Sequence, residues 1–255
     1  MQKKLIIGNW KMHPRTLGEA RKNFLAVKKE AAACKNVDAA IAAPFTYLLE
    51  LGKISGAALA LAAQNVSSEK EGPHTGEISA GMLAATKVKY VIVGHSERRA
   101  LGETNDFIAQ KVRAVLAAHM TPVLCVGEIE RDTGMFYLSA VKTQLEECLA
   151  LIPKNAVVRV VVAYEPVWAI SSTPGHRDAT PEDALEMRIY IQKVLADMFG
   201  HANADKVRVL YGGSVDEKNA LGFLIAGRAD GLLPGKASLT PKRFAAILKL
   251  ANNLK

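Results

Sequence analysis

Short apolar runs alternate with amphipathic stretches along the whole chain. The runs are rich in Val, Ile, Leu and Ala and lie near residues 4–8, 37–42, 58–63, 90–93, 123–126, 158–164, 207–211 and 231–233. They are apolar at nearly every position rather than every second one, which predicts strands buried on both faces, as a parallel sheet requires. Between them the apolar positions recur at helical spacing. In 16–33, Leu17, Phe24, Val27 and Ala31 share one stripe while Glu19, Lys22, Lys28 and Lys29 face away. Residues 105–119, 137–151, 181–199 and 241–252 behave in the same way. Thr180 before Pro181 and Thr240 before Pro241 place a capping residue ahead of proline at the first helical position.

The reading is therefore α/β, with eight strand-like and about eight helix-like segments in alternation and no linker, low-complexity run or charge block between them. Eight such units in 255 residues match a single (β/α)8 barrel domain over 1–255, a fold that takes about 250 residues. An open doubly wound sheet stays as the second reading, because alternation alone does not show closure. Nucleotide-binding signatures are missing: no strand is followed by GxGxxG. The segment 231–237 has three residues between its glycines, and Ala237 where a P-loop needs Ser or Thr for Mg²⁺.

Composition narrows the class. A hydrophobic fraction of 49% with 23% charged residues excludes a disordered chain. No stretch reaches the roughly 18 apolar residues of a membrane span. Leu5-Ile6-Ile7 is too short an apolar core for a secretory leader. Cys34, Cys125 and Cys148 are scattered, with neither a disulfide framework nor metal-ligand spacing, which predicts thiols in a reducing cytoplasm and no metal. The net charge of +8 suits either a polyanion or a small anionic substrate. Lys and Arg are spread along the chain, with only Glu97-Arg98-Arg99 approaching a cluster, so no nucleic-acid partner is expected.

Chemistry-bearing residues fall at the C-terminal ends of the runs, the barrel face that carries active sites: Asn9 and Lys11, Gln64-Asn65, His95-Ser96-Glu97, Gly127-Glu128, Glu165-Pro166, Gly212-Gly213-Ser214 and Gly235-Lys236. A carboxylate at Glu165, beside Trp168 at an apolar mouth, is partly desolvated and a stronger base, although a strand-end ion pair explains a lone Glu equally well. His95 opens a predicted helix at Ser96, where the positive end of the helix favours the neutral imidazole; a hydrogen-bonded turn is the plainer reading of a lone His. Gly212-Gly213-Ser214 leads into a helix opening around Asp216. Glycines there, joined by Gly235-Lys236 after the eighth strand, let backbone N–H groups reach a phosphate. Lys11 would neutralise negative charge.

These residues resemble the triosephosphate isomerase family. The resemblance is carried by Asn9-Trp10-Lys11-Met12, Ala63-Gln64-Asn65-Val66, Glu69-Lys70-Glu71-Gly72, Thr75-Gly76-Glu77-Ile78-Ser79 and Val93-Gly94-His95-Ser96-Glu97-Arg98-Arg99. It continues through Cys125-Val126-Gly127-Glu128, Ala163-Tyr164-Glu165-Pro166-Val167-Trp168-Ala169-Ile170, Leu210-Tyr211-Gly212-Gly213-Ser214-Val215 and Asp230-Gly231. The resemblance implies a TIM barrel that interconverts dihydroxyacetone phosphate and glyceraldehyde 3-phosphate with neither metal nor organic cofactor. It implies Glu165 as the base, His95 as the group that polarises the substrate oxygens, Lys11 and Asn9 as substrate contacts, and Glu97 holding Lys11. Ser171, Gly213, Ser214, Gly235 and Lys236 would bind the phosphate. This family is itself the standard illustration of a carboxylate base working beside a neutral histidine under a closing loop. It further implies a homodimer in which the Thr75-Gly76-Glu77 loop inserts beside the partner's Lys11 region, with Gln64, Asn65 and Met82 near the interface.

Two departures from the family pattern stand out. After Ile170 the usual Gly-Thr-Gly-Lys is replaced by Ser171-Ser172-Thr173-Pro174-Gly175-His176-Arg177-Asp178-Ala179-Thr180, about three residues longer. The expectation is that this lid still closes through the Ser171 N–H, helped by Ser172 or Arg177. After strand eight, Val-Gly-Gly-Ala-Ser becomes Pro234-Gly235-Lys236-Ala237-Ser238; Lys236 adds charge near the phosphate but needs a backbone compatible with a Cβ. The alternatives are another sugar-phosphate isomerase or lyase on the same barrel, or a non-catalytic basic barrel.

Overall fold

The computed structural model describes residues 2–171 and 173–254. Each apolar run contributes one strand: β1 (Lys4–Asn9), β2 (Val37–Ala43), β3 (Ala60–Ala63), β4 (Val88–Val93), β5 (Thr121–Val126), β6 (Val161–Tyr164), β7 (Arg208–Tyr211) and β8 (Gly231–Leu232). Every strand pairs in parallel with the next. Leu5 opposite Gly231 and Ile6 opposite Leu232 join β1 to β8 and close the barrel. That closure removes the doubly wound alternative.

Alternation along each strand produces two apolar layers. Leu5 and Ile7 point into the barrel with Ala40, Tyr90, Ile92, Val123, Val161 and Leu210. Ile6 and Ile41 point outward against helical residues such as Phe24, Val112, Leu195 and Phe244. The helices are α1 (Leu17–Ala31), α2 (Phe45–Ile54), α3 (Ala80–Ala85), α4 (Ser96–Ala100), α5 (Asn105–Ala117), α6 (Phe136–Cys148), α7 (Pro181–Phe199), α8 (His201–Ala204), α9 (Ala220–Ile225) and α10 (Pro241–Asn252). A strand buried on both faces must be apolar throughout, which is why the runs carry no period of two.

The structure differs from the sequence reading at three places. The run 158–164 is divided: Lys154–Arg159 forms a 3-10 turn and the strand starts at Val161. The Val160 N–H is spent locally on Val157 O at 2.8 Å, so it is not available to the ladder. The helix expected around Asp216 begins instead at Ala220. Asp216 Oδ1 accepts from the Lys218 N–H at 2.8 Å and Asn219 Oδ1 accepts from the Asp216 N–H at 2.9 Å. These side chains offer the backbone a turn in place of a helix. Thr180 forms a reciprocal capping box with Asp183, whereas Thr240 makes no side-chain cap bond.

Candidate active site

The C-terminal ends of the strands surround a cavity of about 290 Å³ lined by residues of the first, fourth, sixth, seventh and eighth strand ends and by the lid. Of the residues expected at the site, Asn9, Lys11, His95, Glu165, Ser171, Gly213, Ser214, Gly235 and Lys236 all line it. Glu97 stands one step outside and touches two of them. Ser172 lies outside the described residues.

Glu165 follows β6 and is only 3% exposed. Its Oε1 lies 3.2 Å from His95 Nε2, and its Oε2 accepts from the Ser96 N–H at 3.3 Å. His95 is the cap residue of α4, and its Nδ1 accepts from the Glu97 N–H at 3.1 Å. An accepting Nδ1 leaves the ring proton on Nε2, facing the cavity and Glu165. Room for the carboxylate comes from Gly212, where a Cβ would stand 2.8 Å from Glu165 Cγ. Cys125 lies behind: burial, and then the Glu165 charge, push its thiol well above the usual range.

Lys11 adopts a left-handed backbone conformation (φ 51°), which a non-glycine residue occupies only when its surroundings hold it there. Asn9 Oδ1 accepts from the Lys11 N–H at 3.0 Å, and Gln64 Nε2 donates to Lys11 O at 2.9 Å. The ammonium donates to Glu97 Oε1 at 2.6 Å. Asn9, Gln64 and Glu97, from three strand ends, thus fix this one cation.

The anion-binding side is built from two loops. Gly213 has no room for a Cβ, which would strike the Tyr211 hydroxyl. Among the described residues, neither the Gly213 nor the Gly235 amide finds an acceptor in the protein. Lys236 begins a 3-10 turn, Lys236–Leu239, a conformation that any residue adopts, so its Cβ is accommodated. Its side chain is exposed. The Ser214 N–H is taken by Ala169 O at 3.1 Å, and among the described residues the buried Ser214 Oγ and Tyr211 hydroxyl find no partner.

The lid starts at a 3-10 turn, Val167–Ala169. Trp168 Nε1 and the Tyr164 hydroxyl both donate to the buried Glu128 Oε1, at 2.8 and 2.7 Å. Arg177 does not turn towards the cavity. Its guanidinium stacks 4.0 Å above the Trp168 ring, while its N–H donates to Trp168 O at 3.1 Å. His176 and Asp178 of the lid line the cavity, as do Asp216, Asn219 and Arg243. Sequence reasoning assigned none of these five to the site, since they neither follow a strand directly nor sit in a motif.

A carboxylate, a ring N–H and an ammonium converge beside paired glycine loops at the strand ends. With the closed barrel, this defines a (β/α)8-barrel isomerase working by proton transfer on an anionic substrate. The triosephosphate isomerase family model matches residues 4–251. The triosephosphate isomerase of Paracidovorax citrulli is 45% identical, covering 98% of this chain and 99% of its own. That of Fusobacterium nucleatum is 43% identical over 99% and 100%. The crystal structure of triosephosphate isomerase from Bartonella henselae superposes with a TM-score of 0.84 at 35% identity, covering 97% of this chain and 98% of its own. The chain belongs to the triosephosphate isomerase family.

Proposed function

We propose that this chain interconverts dihydroxyacetone phosphate and D-glyceraldehyde 3-phosphate by proton transfer through an enediolate, within glycolysis and gluconeogenesis. The observation that carries the reading is the buried Glu165 carboxylate 3.2 Å from His95 Nε2, in the same cavity as Lys11. Glu165 takes a proton from the hydroxyl-bearing carbon and returns one to its neighbour. Both of its oxygens are engaged here, by His95 and Ser96, so the substrate displaces one of these contacts to present its C–H. The His95 N–H then turns to the substrate oxygens, stabilising the enediolate and moving protons between them. Lys11, oriented by Asn9 and tethered by Glu97, offsets the charge on the phosphate and on the enediolate.

The phosphate is held by the amides of Gly213, Ser214, Gly235 and Lys236 and by the Ser171 N–H of the lid, with the Lys236 ammonium nearby. Such fixed donors position the non-reacting end and convert binding into orientation. The reading includes one domain over 1–255, small triose phosphates as substrates, no cofactor, and a cytoplasmic location consistent with three free thiols. It also includes a homodimer formed through the Thr75-Gly76 loop. That loop is exposed, and among the described residues no helix is long and apolar enough to cross a membrane.

Isomerisation of dihydroxyacetone phosphate in deuterium oxide tests the reaction. Proton transfer to and from Glu165 leaves solvent deuterium on carbon 2 of the glyceraldehyde 3-phosphate. No product from folded protein, or product formed equally fast by a folded Glu165→Gln variant, overturns the proposal.

A further inference from the structure

Arg243 is placed against the interests of its own helix. It occupies the third position of α10, where the positive end of the helix disfavours a cation. Lys242 precedes it, no acidic residue stands in that first turn, and the Thr240 side chain does not cap. Helix stability gives no reason for this arrangement.

The reason lies across the cavity. Arg243 Nε donates to both Glu217 oxygens, at 2.9 and 2.8 Å, and its Nη2 donates to Asp216 Oδ2 at 3.2 Å. Glu217 and Asp216 belong to the loop after β7, whereas α10 follows the loop after β8. The other Asp216 oxygen caps the Lys218 and Asn219 amides. Asn219 Nδ2 in turn donates to Ser214 O at 3.0 Å. One chain of contacts therefore runs from Arg243 through Asp216 and Asn219 to the loop that carries Gly213 and Ser214.

A fastening is needed here because the strands supply little. β8 has two residues, paired with β7 at Leu210 opposite Gly231 and Tyr211 opposite Leu232, and the Asp230 N–H to Val209 O bond at 2.9 Å lies at the far end from the cavity. The Leu233 N–H to Tyr211 O bond at 2.9 Å is the last backbone link before the two loops part. A phosphate bridging the Gly213–Ser214 and Gly235–Lys236 amides needs their spacing fixed, since orientation is lost with small displacements.

We propose that Arg243 is a positioning residue for the phosphate: by joining Asp216 and Glu217 to the start of α10, it holds the two amide loops at one separation. It does not touch the reacting carbons. The inference rests on the reading of this cavity as a triose phosphate site. Its three side chains are each about one third exposed (34%, 33% and 30%), so ordinary surface pairing would be weak. The planar guanidinium bound to two carboxylates supplies the geometry.

The test uses the full-length protein and its Arg243→Gln, Arg243→Lys and Glu217→Gln variants. It measures the dissociation constant of inorganic phosphate by calorimetry, KM and kcat for dihydroxyacetone phosphate, and the melting temperature. Arg243→Gln raises both the phosphate dissociation constant and KM by about three- to tenfold, with a smaller change in kcat and no loss of fold. Arg243→Lys recovers part of the affinity, because an ammonium does not span both carboxylates. Glu217→Gln, which leaves Arg243 in place, shifts affinity in the same direction by less. Unchanged phosphate affinity in a folded Arg243→Gln protein that isomerises like the wild type overturns this inference alone. A wild type that neither binds phosphate nor turns over overturns the reading beneath it as well.

Discussion

The Ser214 amide donates to the Ala169 carbonyl at 3.1 Å. One of the donors assigned to the phosphate is thus occupied by the first turn of the lid, so a phosphate oxygen and the Ala169 carbonyl compete for the same N–H. Two buried hydroxyls beside it, Ser214 Oγ and Tyr211 Oη, find no partner among the described residues. A buried polar group left unpaired costs free energy, and one that gains its partner only when the lid closes over the ligand favours the closed form.

Ser214→Ala and Tyr211→Phe follow directly from that asymmetry. Each removes a group that is unpaired in the ligand-free form, so the free protein keeps its stability or gains up to about 1 kcal/mol. Each also lowers kcat/KM by roughly 10- to 100-fold, the worth of one buried hydrogen bond in the closed form. Urea unfolding and a coupled assay measure the two sides. Equal losses of stability and activity would show that the hydroxyls merely hold the fold.

Lys236→Gly places a glycine where the family resemblance leads one to expect it. The Lys236 side chain is exposed, so its attraction for phosphate is screened by salt. Inorganic phosphate binds the variant about two- to fivefold more weakly in dilute buffer, and the difference shrinks on adding salt. Unchanged affinity at low ionic strength would remove the ammonium from the phosphate site and leave only its backbone N–H there.

The three thiols are all free and buried. Burial raises Cys125, Cys148 and Cys34 above the ordinary thiol range; the Glu165 charge adds to the effect at Cys125, while Arg99 opposes it at Cys148 and Lys249 at Cys34. A group whose folded value is raised holds its proton as pH climbs through the unfolded value, so the folded form lacks the reactive thiolate. Ellman's reagent at pH 8 therefore reacts at least about tenfold more slowly with native than with unfolded protein, which then yields all three thiols. A fast-reacting equivalent in the native protein would contradict this.

The barrel was legible because a strand covered on both sides has to be apolar throughout, and the helices between carry a stripe. Both signals are local. Closure is not, and only the pairing of Leu5 with Gly231 and Ile6 with Leu232 shows it. Asn9, Lys11, His95 and Glu165 were legible because each stands where an apolar run ends. The place of Arg177 was not, because its guanidinium lies 4.0 Å from the Trp168 ring, a contact that the turn of the lid creates and no local pattern announces. Arg243 and Asp216 were invisible too, since they meet only when the barrel brings its last two loops side by side.

The Glu165 carboxylate acts as the base in the proposed reaction, and its placement sets the rate. A coupled isomerase assay of the wild type beside Glu165→Asp tests it most directly. Aspartate withdraws the carboxylate by one carbon–carbon bond, about 1.5 Å, and a misplacement near 1 Å costs about 100-fold. The wild type turns over, and kcat in the variant falls by about 100-fold or more with KM little changed. Full kcat in Glu165→Asp would contradict it.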